Sequence, residues 1–255
     1  MTTAILQARM GSSRLPGKMT MPIFDGKGPL ELMLLRLRES RSLARVIVAT
    51  TSLPEDDVLA EICARLDVAC FRGHPTDVLD RYYQCAKEHH ALDTLVRLTG
   101  DCPLHDPKVV DSVIEFFKTG GYDYAANTHP PTFPDGLDVE VFSFAALETA
   151  WRKATLLTER EHVTYYLYTH PEEFRVGNLT RNEDLSHLRW TFDEPEDLEF
   201  LRQIYAKLGR ATASADEVLG LLNSHPDLHH INHRIKRNEG LAKSLEKDKA
   251  SGNLI

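Results

Sequence analysis

The chain has no apolar run approaching the length of a membrane span. It also lacks the charged-then-apolar opening of a secretory signal, because its first residues run straight into a strand pattern. A cytoplasmic protein is therefore expected. Cysteine is scarce. Cys63, Cys70, Cys85 and Cys102 show no Cys-x-x-Cys spacing and read as free thiols, mostly in the core, of a protein in a reducing compartment. Positive charge is not in excess: the formal net charge is −8, which argues against general nucleic-acid binding. There is no internal repeat and no low-complexity tract. What remains is an ordinary globular balance, 42% hydrophobic and 27% charged over 255 residues, enough for one large or two small domains.

An acidic protein that grips a polyphosphate must gather its positive charge locally or bring in a metal. One stretch does gather it. Residues 7–18 read Gln-Ala-Arg-Met-Gly-Ser-Ser-Arg-Leu-Pro-Gly-Lys, directly after the apolar run Ala4-Ile5-Leu6. Gly11 and Gly17 let the backbone turn and aim successive N–H groups at one spot, a nest for an anion. Arg9, Arg14 and Lys18 surround that nest, with Ser12 beside them. Guanidinium forks bind phosphate oxygens in pairs and lysine acts as a point charge. A solvated surface loop is the plainer reading. The position after the first strand is where open α/β sheets place ligands.

The stretch superficially resembles a Walker A loop and fails its test. Gly11 and Gly17 are separated by five residues rather than four, and Met19 stands where a Ser or Thr should bind Mg²⁺. No Gly-x-Gly-x-x-Gly comes after the first strand, so a dinucleotide fold is weaker still.

Along the chain, buried strands (Ile5-Leu6, Val46–Thr50, Val68–Phe71, Leu95–Leu98) alternate with helical patterns over 30–37, 55–66, 77–90 and 106–117. That order implies a parallel three-layer α/β sheet. The pattern changes after about residue 122. Strands at Tyr122–Ala126 and Val139–Phe144 flank a proline-rich loop, and helices are expected next at 144–153 and 158–168. Leu188–Phe192 is expected to resume the sheet, with a helix after it over 195–208. The domain is read as residues 1–235, with about 127–187 as an inserted arm or lid for acceptor binding and dimerisation, and 236–255 as a polar tail ending in a frayed helix.

Two aspartates fall just past strand ends. Asp101 lies in Gly-Asp-Cys-Pro-Leu after Leu95–Leu98, and Asp193 opens Asp-Glu-Pro-Glu-Asp-Leu. Each also reads as a helix-start residue. Together they make a plausible Mg²⁺ site, because Mg²⁺ takes one or two carboxylates plus substrate phosphates and water. In the middle segment Asp135, Asp138 and Glu140 come together, with Asp138 and Glu140 on one face of a strand. They suit sugar hydroxyls or the metal; a turn leading into a half-exposed edge strand is the alternative. Glu161 has the same standing, between acceptor ligand and charged helix face. Asn127 and His129 are weaker candidates. His229, His230 and His233 read as a polar turn rather than a metal site. Trp151, Tyr165, Tyr166 and Tyr168 read as core or interface.

The loop of residues 7–18 resembles the signature of the cytidylyltransferases that activate acidic sugars, such as the CMP-Kdo and CMP-sialic acid synthetases, and is most similar to their spore-coat polysaccharide branch. Gly100–Leu104 and Asp193–Leu198 are similar to the family's two metal-aspartate motifs, and the three motifs span residues 7 to 198 in the expected order. The resemblance implies a Rossmann-like three-layer nucleotidyltransferase fold, usually dimeric, that uses CTP and Mg²⁺ to make a CMP-sugar and pyrophosphate for surface polysaccharide. By matching positions it places Arg9 and Lys18 on the β- and γ-phosphates and Asp101 and Asp193 on the metal. Ala8 and Met10 would offer backbone atoms near the base, and Arg81 would line the nucleotide site. Thr99 stands where the Kdo branch has glutamine, so the base contact departs from the pattern. Gly11, Ser12 and Arg14 complete the nucleotide loop. No general base is singled out. An acidic acceptor demands a cation, for which Arg152, Lys153, Arg160 and Arg175 are available. The rival readings are a phosphorylated acceptor, such as a sugar 1-phosphate or phosphonate, and a scaffold that binds nucleotide without catalysis.

Overall fold

In the computed structural model, which describes residues 1–12, 14–235, 237 and 239–251, successive residues of the first strand face opposite sides. In β1 (Thr2–Gln7), Ala4 and Leu6 join one buried cluster and Ile5 the other. The same alternation runs through β2 (Arg45–Thr51) and β4 (Thr94–Thr99): Val48, Val96 and Leu98 face one layer, Ile47, Ala49 and Leu95 the other. A strand with two apolar faces must be covered on both. One side is covered by α1 (Pro29–Leu37), α2 (Asp57–Arg65), α4 (Pro107–Gly120), α8 (Pro195–Leu208) and α9 (Ala215–Ser224). The other is covered by α3 (Val78–Glu88), α5 (Phe144–Lys153) and α7 (Tyr165–Thr169). The expected three-layer α/β architecture results.

With β3 (Ala69–Gly73), β5 (Tyr124–Ala126), β6 (Glu140–Ser143) and β7 (Val176–Asn178), the sheet runs β3-β2-β1-β4-β6-β5-β7. All pairings are parallel except those made by β6, which is antiparallel to both β4 and β5. This reversal matters for the site. The carboxyl ends of β1 and β4 meet the amino end of β6, so the residues entering β6 reach the crevice that the parallel strands open.

Helix ends are fixed by local chemistry. Asp77 caps α3 at Asp80 N, 2.9 Å away, and Ser143 caps α5 at Ala146 N, 3.0 Å away. Asp106 serves two helices, accepting from Lys108 N (2.8 Å) in α4 and Ala215 N (2.7 Å) in α9. The buried Arg36 guanidinium joins the same region by donating to the carbonyls of Leu104, His105, Ala211 and Ala213.

Four expectations change. Leu188–Phe192 is extended but is not a sheet strand. It crosses the sheet's carboxyl end, with Asp135 N donating to Leu188 O (2.8 Å), Trp190 N to Asp135 O (2.6 Å) and Phe192 N to Asp101 O (2.8 Å). Its alternation is real, with Leu188, Trp190 and Phe192 in the core and Arg189 and Thr191 facing the crevice, but its partners are loops. The seventh strand is instead β7, a three-residue segment too short to show a period. The helix read over 158–168 is two: α6 (Leu157–Glu161) and α7, broken where Val163 adopts φ 47°, a conformation costly for a β-branched residue. Finally, the polar tail contains α10 (Glu239–Ala250), which packs on α6, where Asp248 accepts from Leu157 N (3.0 Å) and Thr158 N (2.8 Å). Among the described residues no helix is long and apolar enough to cross a membrane.

His105 supplies a test of the core. It is fully buried, its Nε2 lies 3.1 Å from Asp138 O, and its Nδ1 has no partner among the described residues. Burial pushes its imidazole from 6.5 down to about 4. Between those values the unfolded chain holds a proton that the native state does not, so stability falls as pH drops through that window. His105→Asn is expected to remove up to about 3 kcal/mol of this acid sensitivity. Urea titrations at pH 7 and pH 4.5 measure it, and an unchanged difference between the two would refute the assignment.

Candidate active site

The carboxyl ends of β1 and β4 open into a cavity of about 550 Å³. The loop after β1 forms its first wall. Ala8 N donates to Ala49 O (3.3 Å), and Met10 N donates to Asp56 Oδ1 (2.6 Å), a carboxylate fully buried at the start of α2. Ser12 Oγ accepts from Leu15 N at 3.2 Å, so its hydroxyl holds the loop's own turn. Gly17, at φ 76°, makes the left-handed step that turns the chain into the short helical turn Lys18–Thr20. Ala8, Arg9, Gly11, Ser12, Arg14 and Lys18 line the cavity. Met10, expected near the base, lies outside that lining, and its N–H is taken up by Asp56.

Lys18 is 6% exposed, and its ammonium makes three contacts: Asp101 Oδ2 at 2.8 Å, Asp193 Oδ1 at 2.7 Å and Phe192 O at 2.9 Å. Those use all three of its donors. Burial pushes its pKa down, and the two carboxylates more than reverse this, leaving it raised. Burial likewise pushes Asp101 up, but Lys18 and the Thr99 hydroxyl hold it below the usual carboxylate range. The two expected metal aspartates thus converge on one cation. Arg14 joins them at Asp193 (2.8 Å), Glu194 (3.5 Å) and Glu239 (3.7 Å). Arg9 is exposed and makes no ion pair with any described residue. Arg81 is buried on the same wall; it donates to His74 O at 2.8 Å while its Nε has no partner among the described residues. Thr99 lines the cavity at the end of β4.

The opposite wall is acidic and comes from the residues that enter β6. Gly136 makes this approach possible: at φ 107°, a Cβ there would lie 2.7 Å from the carbonyl carbon of Trp190. Asp135 meets Arg189 at 3.2 Å, and Asp138 pairs with Arg237. Asp138 is half-buried by its own surface but sits deep within the cavity wall. Burial there outweighs Arg237 and raises its carboxyl to about 7. Burial raises Asp135 as well, against the pull of Arg237 and Arg189. Glu140 behaves differently. It stands opposite Arg97 across the β4–β6 pairing, bonds its guanidinium, and accepts from the hydroxyls of Tyr124 (2.7 Å) and Thr164. Burial pushes Glu140 up, and these partners, Arg97 foremost, bring it below its ordinary value. Glu161 lines the cavity and accepts from Ser244 Oγ of α10 at 2.8 Å.

Asn127 is a correction. It lies outside the cavity lining, fully buried, with Nδ2 donating to Leu137 O and Oδ1 accepting from Val139 N, both at 2.8 Å. It anchors backbone and is shut away from the cavity. Tyr168, read as core or interface, instead lines the cavity with His129, ring centroids 4.0 Å apart.

Two arginines of the cavity carry little or no local signal in the sequence. Arg189 is buried, holds Asp197 through two bonds (2.9 and 2.8 Å) and reaches Asp193 at 3.5 Å. Arg237 comes from the segment read as a tail. The only signal for Arg189 was its place in an alternating run; Arg237 had none.

A cation-ringed turn beside two converging carboxylates, at the carboxyl end of a mostly parallel sheet, defines an α/β nucleotide-binding enzyme fold. The cytidylyltransferase family model matches residues 3–217, and the chain belongs to that family of nucleotidyltransferases. It is 35% identical over 231 residues to the spore coat polysaccharide biosynthesis protein SpsF of Bacillus subtilis, covering 88% of this chain and 94% of that one. It is 30% identical over 222 residues to 3-deoxy-manno-octulosonate cytidylyltransferase 2 of Hydrogenovibrio crunogenus, covering 80% and 85% of the two chains. The solved structure of a cytidylyltransferase from Leptospira borgpetersenii superimposes with a TM-score of 0.85 at 34% identity, covering 89% of this chain and 96% of that one.

The Arg97–Glu140 pair forms the cavity floor. Removing one partner of such a pair strands the other charge, at a cost of about 3–5 kcal/mol. Glu140→Leu is expected to lose stability of that order by urea titration, and Glu140→Leu with Arg97→Met to recover part of it. A single variant as stable as the parent protein would show that Glu140 is free to act as a ligand instead.

Proposed function

We propose that the protein transfers CMP from CTP to a hydroxyl of an acidic, ulosonic-type sugar, releasing pyrophosphate, in the making of surface polysaccharide. The observation that carries this reading is the position of Lys18. It closes the cationic turn in sequence and bridges Asp101 and Asp193 in space, so triphosphate ligands and metal ligands share one spot.

The donor set fits Mg²⁺. Asp101 and Asp193 supply two hard oxygens that already converge on a single cation, and Mg²⁺ takes its other ligands from phosphate and water. Once bound there, Mg²⁺ supplies charge neutralisation on the reacting phosphate. The chain's own groups do the rest. Lys18 exchanges its carboxylate partners for phosphate oxygens, and Arg9 and Arg14 flank the same group. The acceptor oxygen bonds to the α-phosphorus as the bond to the bridging oxygen breaks. The electron pair leaves on pyrophosphate, whose growing charge these cations stabilise in place. The acceptor hydroxyl's proton leaves to solvent or to a wall carboxylate. Arg81 and Thr99 line the nucleotide end; Asp135, Asp138 and Glu161 line the acceptor end. The similarity to a protein named for 3-deoxy-manno-octulosonate supports an acidic acceptor.

Pyrophosphate release with each of the four ribonucleoside triphosphates, against 3-deoxy-2-ulosonic acids and phosphorylated acceptors, tests the reading. Release with CTP and an ulosonic acid is expected; silence with CTP across every acceptor would sink it. Asp101→Asn is expected to abolish metal-dependent turnover, and Lys18→Met to lower kcat by roughly 10²–10³, as for the loss of one oxyanion donor.

A further inference from the structure

An acidic acceptor brings a carboxylate into a half-cavity walled by Asp135, Asp138, Glu140 and Glu161. Without a cation there, binding is repulsive. None of the four cations that the sequence offers lines the cavity. Arg152 pairs with Glu148 (3.1 Å), Lys153 with Glu173 (2.6 Å), Arg160 with Asp77 (2.9 Å), and Arg175 donates to Gly120 O (3.1 Å). Among the cations that do line it, Arg97 is held by Glu140 and Arg189 by Asp197, while Arg9, Arg14, Lys18 and Arg81 belong to the nucleotide end.

We propose that Arg237 is the receptor for the acceptor's carboxylate and therefore the residue that selects an acidic acceptor. This rests on the reading of the function above. The Arg237 side chain is 14% exposed and lines the cavity. Nη1 donates to Phe133 O at 3.2 Å, Nη2 bonds the Asp138 carboxylate, and Nε stands 3.9 Å from Asp135, too far for a direct hydrogen bond. A guanidinium has five N–H donors in a planar fork, so donors remain for a ligand. Asp138 shows the interaction in place: a carboxylate already sits on this guanidinium, and the acceptor's carboxylate replaces or joins it. The Asp138 side chain is also the accessible one, 35% exposed against 9% for Glu140 on Arg97 and 0% for Asp197 on Arg189, so it has room to move aside for a ligand.

Arg237 lies beyond the residues 3–217 that match the family model. The C-terminal helix α10 and the residue that opens it position the segment. Glu239 reaches Arg14, Ser244 donates to Glu161 and bonds His162 (3.0 Å), and Asp248 caps α6. These contacts fix α10 against the cavity wall.

The test compares the best-accepted 3-deoxy-2-ulosonic acid with its C1-carboxamide, using the parent protein, Arg237→Met and Arg237→Lys. The parent protein is expected to favour the acid. In Arg237→Met, KM for the acid should rise roughly 10- to 100-fold, the worth of one charged hydrogen bond, with KM for CTP unchanged and the preference for acid over amide lost. Arg237→Lys should restore part of that preference. The inference is overturned if Arg237→Met keeps the full preference, or if both acceptors weaken alike. Turnover of non-acidic acceptors alone also overturns it, while cytidylyl transfer stands. No release by the parent protein with any acceptor overturns the functional reading, and this inference with it.

Discussion

The Lys18 ammonium is the point on which the rest of the site depends. It ties together three stretches of chain that are remote in sequence: the turn after β1, the residue beyond β4 and the approach to α8. Without it, the two carboxylates would face each other in a poorly solvated spot with no shared counter-ion. With it, both are aimed at a common centre. Under the proposed reaction the interaction is also temporary, because a lysine that satisfies both carboxylates must leave them when phosphate and a divalent cation bind there. Burying an ion triad is weak evidence for stability. Its value here is positional: three remote stretches of chain are held around one centre.

The cavity draws its charged groups from different elements. Arg9, Arg14, Lys18 and Arg81 come from the turn after β1 and from α3; Asp135, Asp138, Glu140 and Glu161 come from the approach to β6 and from α6. The reversal of β6 brings its approach to the cavity. Were β6 parallel to β4, its amino end would lie at the far edge of the sheet and Asp138 would be nowhere near Lys18. A protein of net charge −8 thus keeps a local group of cations at the loop after its first strand. Arg189 touches Asp135 on one side and Asp193 on the other.

What could be read from the sequence is what is decided locally. The helices at 144–153 and 195–208 were placed to the residue because Ser143 and Pro195 start them by short-range chemistry. The 7–18 loop was legible because a turn, its glycines and its cations are neighbours in the chain. The alternation of Leu188–Phe192 was also legible, yet period two says only that successive side chains diverge, not that a strand lies alongside. Asn127 shows a second limit. An amide that binds a sugar and an amide that splints backbone are the same letter, and only the 0% exposure of this one separates them. Arg237 and Asp138 are 99 residues apart, and Met10 and Asp56 are 46 apart. No local pattern announces such partners, because they meet only after the sheet has closed.

The segment Leu188–Phe192 carries a consequence for how this protein can vary. Its odd and even residues answer to different demands within one short span: Trp190 and Phe192 fill the core, while Arg189, Thr191 and, one step on, Asp193 face the cavity. In most enzymes the interior drifts by volume-conserving swaps while the reacting groups stay put. Here the two are alternate beads on one string, pinned to Asp101 and Asp135 by backbone hydrogen bonds. A repacked Trp190 therefore displaces a cavity-facing carboxylate along with itself. If Asp193 acts as proposed, this stretch of interior is held to the tolerances of catalysis, and mutations that cost it little stability still register in the rate.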